Sequence, residues 1–219
     1  MVKENLQVVF DKIKNPNPFG EKVTLVGATK FVPVEIINEA IALGLEDIAE
    51  NRAQEFKDKF PLVTKPVNYH FIGSLQKNKV KYLIGKCHLI HSVDSVELLE
   101  EIARQSVNKG VTTNCLLEVN VGVEEQKHGF SYNELENALA FSKTLNGVNV
   151  VGLMAMLPES DNEEFLFELA SELRKVYDSF KDKYNFKHLS MGMSGDYEVA
   201  IKAGSNMIRV GSKIFGRRY

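Results

Sequence analysis

With 219 residues, 44% of them apolar, and a formal net charge of −2, the chain can bury a full core in one domain, residues 1–219, and falls within the length range of (β/α)8 barrels. That charge balance gives no electrostatic reason to expect a nucleic acid or an anionic membrane as partner, since either favours a clustered basic surface, and Arg217-Arg218-Tyr219 is too short to alter this. The start, Met1-Val2-Lys3-Glu4-Asn5, has no basic segment leading into an apolar one, and no apolar run approaches the ~20 residues of a membrane span, so a cytoplasmic protein is expected.

The chain opens on an amphipathic helix marked by Leu6, Val9, Phe10 and Ile13, broken by Asn15-Pro16-Asn17-Pro18-Phe19-Gly20. Strand one follows over Val23 to Lys30, then a helix opened by Pro33. The remaining predicted strands are Leu45 to Glu50, Tyr69 to Gly73, Leu89 to Asp94, Cys115 to Val121, Val150 to Leu157, His188 to Gly192 and Met207 to Gly211. Helical patterns alternate with them. Asp94 with Glu97, Ser131 with Glu134 and Asp161 with Glu164 each place a cap residue three before a glutamate. The strands are nearly continuous in apolar content, as a parallel sheet covered on both sides requires. The predicted fold is therefore α/β, a single (β/α)8 barrel with an additional N-terminal helix, ahead of an open doubly wound sheet.

In such a barrel the carboxyl ends of the strands line the functional face. That selects Lys30, Glu50, Asn51, His70 through Ser74, Ser92, Asp94, Asn120, Met154, Ser190 through Ser194, and Arg209 through Ser212. Any one of them taken alone is as well explained by helix capping or solvation, so the combination carries the argument. Lys30 offers an amine that, uncharged, attacks an aldehyde to form an imine. Gly211 and Ser212, just after strand eight, offer backbone N–H groups and a hydroxyl to a phosphate. Together they suggest a phosphate-bearing aldehyde cofactor.

Cys87 and Cys115 read as buried thiols rather than a disulfide. His88 and His91, three apart on a strand, point to opposite faces and do not share an ion; without Cys-x-x-Cys or His-Glu-x-x-His spacing no metal site is expected. Gly110, Gly122, Gly129 and Gly147 are turn or helix-end glycines, and no Gly-x-Gly-x-x-Gly run is present.

Several of these segments are recognisable as a set. Thr29-Lys30, Ala49-Glu50-Asn51, His70-Phe71-Ile72-Gly73-Ser74-Leu75-Gln76-Lys77-Asn78-Lys79, Ile90-His91-Ser92-Val93-Asp94-Ser95 and Leu189-Ser190-Met191-Gly192-Met193-Ser194-Gly195-Asp196 resemble the pyridoxal phosphate homeostasis protein family, in the family's order. The resemblance implies a barrel similar to the N-terminal domain of alanine racemases, fold type III among proteins that use pyridoxal 5′-phosphate (PLP). It implies PLP held as a Schiff base on Lys30, with Asn51, Ser194, Arg209, Gly211 and Ser212 as further cofactor contacts and His70 as a weaker candidate. By resemblance Arg209 lies near the pyridine nitrogen, where a guanidinium donates a hydrogen bond without giving up its proton and leaves the ring a poor electron sink. Two departures stand out. Many bacterial members carry a second lysine after strand one, where this chain has Thr29-Lys30-Phe31-Val32-Pro33, and Ala49 replaces the usual glycine before the Glu-Asn pair. Lys127 matches another family lysine, either a contact for a second ligand or, more simply, a loop charge.

Three functions compete. The first is a monomeric PLP carrier or regulator in the cytoplasm, delivering the cofactor to apoenzymes, with no turnover expected. The second is an amino acid racemase, which needs acid/base groups on both faces of the substrate. Alanine racemases take their opposing tyrosine from a C-terminal domain, whereas this chain ends soon after strand eight, which leaves Tyr69, Tyr132 or a second subunit for that role. The third is a cofactor-free barrel binding a phosphorylated metabolite at Gly211 and Ser212.

Overall fold

The computed structural model describes residues 1–64, 66–122 and 128–216. Eight parallel strands close into a barrel in sequence order, each hydrogen-bonded to the next and β1 to β8. They are β1 (Thr24–Ala28), β2 (Asp47–Glu50), β3 (Asn68–Phe71), β4 (Leu89–Val93), β5 (Thr113–Glu118), β6 (Val148–Met154), β7 (His188–Ser190) and β8 (Met207–Val210). Every predicted strand is present; apart from β2, which ends at Glu50 as expected, the carboxyl ends are one to three residues shorter, while β3, β5 and β6 begin one or two residues earlier than expected.

The helices are α1 (Val2–Ile13), α2 (Val34–Ala42), α3 (Ala53–Lys59), α4 (Val96–Asn108), α5 (Tyr132–Ser142), α6 (Glu163–Tyr184), α7 (Tyr197–Lys202) and α8 (Ser212–Phe215). Strict alternation fails between β3 and β4, where a 3₁₀ segment, Lys77–Tyr82, stands instead of an α-helix. Only Val80 of that segment is buried. Val80, Leu83 and Ile84 pack on the barrel, and Gly85, at a left-handed φ of 75°, ends the run before a longer helix forms. Elsewhere the packing is conventional. α1 buries Val2, Leu6 and Val9, and α4 buries Leu98, Leu99, Ile102 and Ala103.

Two apolar clusters follow from strand alternation, which sends successive side chains to opposite faces. The larger, with Leu25, Ile48, Phe71, Ile90, Leu117 and Leu153, joins the outer strand faces to the helices. The smaller, Val26, Ala49, Leu89, Leu116, Val151, Met154 and Met207, fills the barrel interior. Parallel pairing is tightest at Gly152 of β6, where a Cβ would overlap the His188 carbonyl.

Of the three predicted caps, the Ser131–Glu134 box forms as expected, the Glu134 carboxylate accepting from the Ser131 N–H at 2.8 Å. The other two are displaced by one residue. α4 is entered from Ser95, whose hydroxyl donates to Asp94 Oδ1, so Asp94 bonds a neighbouring side chain rather than the helix. α6 is capped by Asn162, whose Oδ1 accepts from the Phe165 N–H at 3.1 Å, and Asp161 lies outside it. Both cysteines are free thiols, raised to about 12 by burial. No helix is long and apolar enough to cross a membrane among the described residues.

Candidate ligand site at the barrel mouth

A cavity of about 540 Å³ opens at the carboxyl ends of the strands, lined by Ala28, Lys30, Asn51, Ile72, Met156, Met193, Ser194, Gly195, Arg209, Gly211 and Ser212. Six residues singled out in the sequence, Lys30, Asn51, Ser194, Arg209, Gly211 and Ser212, thus face one space. Met156 was not among them, because the predicted strand ran from Val150 to Leu157 and took it in, whereas β6 ends at Met154 and leaves Met156 at the mouth.

Lys30 is half-buried two residues beyond β1. Among the described residues its amine has no hydrogen-bond or ion-pair partner. Its backbone is held instead. Lys59 of α3 donates to the Thr29 carbonyl at 2.9 Å, and Glu55 accepts from the Phe31 N–H at 2.9 Å. The two side chains are themselves paired at 3.0 Å. Phe31 takes a left-handed φ of 61° under this clamp, with Arg52 stacked on its ring. The turn that presents Lys30 is therefore fixed by α3 and leaves the amine free.

Asn51 follows β2. Its Oδ1 is buried and has no partner among the described residues, and α3 is entered from Arg52 without a side-chain cap bond, so Asn51 does not cap the helix. An orphaned acceptor in a cavity wall asks for a donor from a ligand. Ser194 lies in the turn before α7, which starts at Tyr197. Its oxygen accepts from the Gly211 N–H at 3.1 Å and the Lys213 N–H at 3.4 Å. The Ser194 hydroxyl keeps its own proton to give, beside the exposed Ser212.

Arg209 of β8 is 4% exposed. One guanidinium nitrogen donates to the Ser190 carbonyl at 2.9 Å and the Ser190 hydroxyl at 2.6 Å, the other to the Ala155 carbonyl at 3.0 Å. Burial pulls its pKa down to about 10, with Asp196 and Glu118 opposing that shift, so it remains a cation at neutral pH. A guanidinium has five N–H donors. Three bonds therefore leave it donors for the cavity it lines.

Other strand-end candidates lie elsewhere. His70 is fully buried below the mouth, its ring bonded to His91 at 2.9 Å and Asp47 at 3.0 Å; it is a satisfied core histidine. Glu50 sits on the outer strand face, where Thr29, Lys59 and Tyr69 donate to its Oε1. Burial raises its pKa. The Ser92 hydroxyl donates to the Gly73 carbonyl. His88 is exposed at the foot of β4 while His91 is buried within it, and no group of potential metal ligands occurs among the described residues. Lys127 lies outside the described residues.

The Asn51 oxygen, the unpaired lysine, the buried guanidinium and the Ser194 and Ser212 hydroxyls match what an aldehyde-bearing pyridine phosphate presents, so the residues fit PLP.

Residues 27–218 match the family model described as the alanine racemase N-terminal domain. The pyridoxal phosphate homeostasis protein of Aquifex aeolicus (strain VF5) is 43% identical, over 89% of this chain and 86% of its own length. That of Escherichia coli (strain K12) is 33% identical, over 99% of this chain and 97% of its own. PipY of Synechococcus elongatus PCC7942, solved with PLP bound, superposes with a TM-score of 0.87 at 28% identity, covering 99% of this chain and all of its own length. An alanine racemase of Clostridium difficile 630, in complex with cycloserine, shares the fold at 17% identity and a TM-score of 0.77, with this chain matching 60% of it. The chain belongs to the pyridoxal phosphate homeostasis protein family, built on the alanine racemase N-terminal-domain barrel.

Proposed function

We propose that this chain binds PLP in the mouth cavity and serves its homeostasis, as a monomeric carrier that holds the cofactor on Lys30 and yields it to cytoplasmic apoenzymes. The single observation that carries the reading is the half-buried, unpaired Lys30 amine in one cavity with a buried guanidinium. When bound, PLP supplies an electrophilic aldehyde carbon that an uncharged amine joins. The chain's own groups do the rest. Lys59 and Glu55 hold the Lys30 turn. Ser194, Gly211 and Ser212 take the phosphate, and Asn51 orients the ring. Arg209 donates to the pyridine nitrogen and keeps it unprotonated, which suits holding the cofactor better than using it as an electron sink.

Racemisation needs two acid/base groups on opposed faces. Neither expected tyrosine lines the cavity. Tyr69 is buried on the outer strand face against Glu50, and Tyr132 belongs to α5. The carrier reading therefore has the better support.

The test is to mix the chain with PLP, reduce it with borohydride and locate the adduct by peptide mass spectrometry. A phosphopyridoxyl group on Lys30, lost in Lys30→Ala with the circular dichroism unchanged, is expected. Absence of an adduct, or one scattered over surface lysines, would move the reading to a cofactor-free phosphate-binding barrel.

A further inference from the structure

Along one line the barrel interior is polar. Arg209 at the mouth donates to Ser190 Oγ at 2.6 Å. Ser190 Oγ lies 3.0 Å from His91 Nδ1, His91 Nε2 lies 2.9 Å from His70 Nδ1, and His70 Nε2 lies 3.0 Å from Asp47 Oδ1. Asp47 is the first residue of β2 and lines a second cavity, of about 370 Å³, at the opposite end of the barrel. The line thus runs through the barrel from one cavity to the other.

The hydrogens in this line can be placed by elimination. A guanidinium only donates and a carboxylate only accepts. A hydroxyl oxygen has two lone pairs, so the order is set from the Asp47 end. With each ring carrying one proton, His70 holds it on Nε2 toward the Asp47 carboxylate and accepts at Nδ1. His91 then holds its proton on Nε2 toward His70, and the Ser190 hydroxyl donates to His91 Nδ1, so every link points from Arg209 to Asp47. The reverse order would require the carboxylate to donate. Burial also holds His91 well below the usual histidine range. At the far end burial opposes the Asp47 charge, but hydrogen bonds from His70 and Asn68 outweigh it and keep the carboxyl ionised.

We infer that Ser190, His91, His70 and Asp47 are positioning residues that act through Arg209, a one-way hydrogen-bonded chain from a floor carboxylate that holds the guanidinium as a donor toward the ring of the ligand in the mouth cavity. The inference rests on the PLP reading above for the identity of that ligand. Among the described residues no carboxylate makes a salt bridge with Arg209. The bonded route to a negative charge is through this chain, while Asp196 and Glu118 act on it through space.

The first test needs no ligand. Long-range ¹H–¹⁵N spectra of the histidine-labelled wild-type chain at neutral pH are expected to show His70 and His91 as Nε2–H tautomers, assigned by loss of each signal in single His→Gln variants. An Nδ1–H tautomer or a doubly protonated ring at either position would overturn the inference. The second test compares Asp47→Leu, which removes the acceptor, with Asp47→Asn, which keeps an acceptor oxygen without the charge. PLP is expected to bind Asp47→Leu about tenfold more weakly, the cost of one buried hydrogen bond, with a shifted absorption maximum, and Asp47→Asn is expected to lie between it and wild type. Unchanged affinity and spectrum in Asp47→Leu would also sink the idea. A chain with the expected tautomers but no Lys30 adduct would refute the PLP reading alone; an adduct with the wrong tautomers would refute the positioning chain alone.

Discussion

Gly73 has no room for a side chain, because a Cβ built on it would overlap the carbonyl of Asn51. Gly73→Ala therefore has to displace the turn that carries Asn51, and overpacking of this kind costs about 1–3 kcal/mol. Chemical denaturation should register that loss, with weakened PLP binding alongside it. Ser194 makes a complementary case. Its oxygen gathers the N–H groups of Gly211 and Lys213, so Ser194→Ala is expected to weaken PLP by about tenfold, on the scale of one net hydrogen bond. Dephosphorylated pyridoxal should bind both chains alike, and an equal loss for both ligands would remove the phosphate assignment. At this scale the cavity lining was largely legible. Lys30, Asn51, Ser194, Gly211 and Ser212 each follow a strand and Arg209 is the penultimate residue of one, positions readable from local pattern. His70 was misplaced because its strand-end position says nothing of depth, and Glu50 because the face a residue takes depends on where the ladder begins.

Among the elements, α3 and α6 carry the clearest energetic consequences. Lys59 of α3 is the cation beside the fully buried Glu50, at 2.9 Å. Removing it would leave that carboxyl without a cation and one Oε2 already unpartnered. Lys59→Met is expected to destabilise the fold by about 3 kcal/mol, the usual result of breaking a buried pair from one side, and to slow adduct formation on Lys30 because the Thr29 carbonyl is released. Thermal melting and borohydride trapping check the two effects separately. On α6, Asn162→Ala is expected to cost about 1 kcal/mol, whereas Asp161→Ala should cost almost nothing, because Asn162 makes the cap bond. Sequence spacing favoured Asp161 by its distance from Glu164. Both residues have capping side chains, so the backbone path into the helix decides which one is used.

For the molecule as a whole, Glu21 ties the segment before β1 to α6. Arg174 donates to it at 2.6 Å and Lys181 at 2.6 Å, and Asn17 adds a third contact at 3.2 Å. Burial works against the Glu21 charge, but these bonds outweigh it and hold the carboxyl at about 2, below the ordinary 4.5. A carboxyl depressed in the fold binds fewer protons there than in the unfolded chain. Its contribution is therefore complete above the ordinary value and is lost as pH falls from about 4.5 through about 2. Melting temperatures measured across that window should fall less steeply in Glu21→Gln than in wild type; parallel slopes would show that the network does not link pH to stability.

Eight apolar runs, their order, and the polar residues at their ends were determined by the sequence alone, because strand period, breakers and turn chemistry act over a few neighbouring residues. The interior chain was decided only by closure. His91 and Ser190 are 99 positions apart, and His70 and Asp47 are 23 apart. No local pattern relates them. Closing β8 onto β1 turns these side chains onto one axis, where burial removes water as a partner and obliges each polar group to find another. The same closure makes Lys30 and Arg209, 179 residues apart, walls of a single cavity.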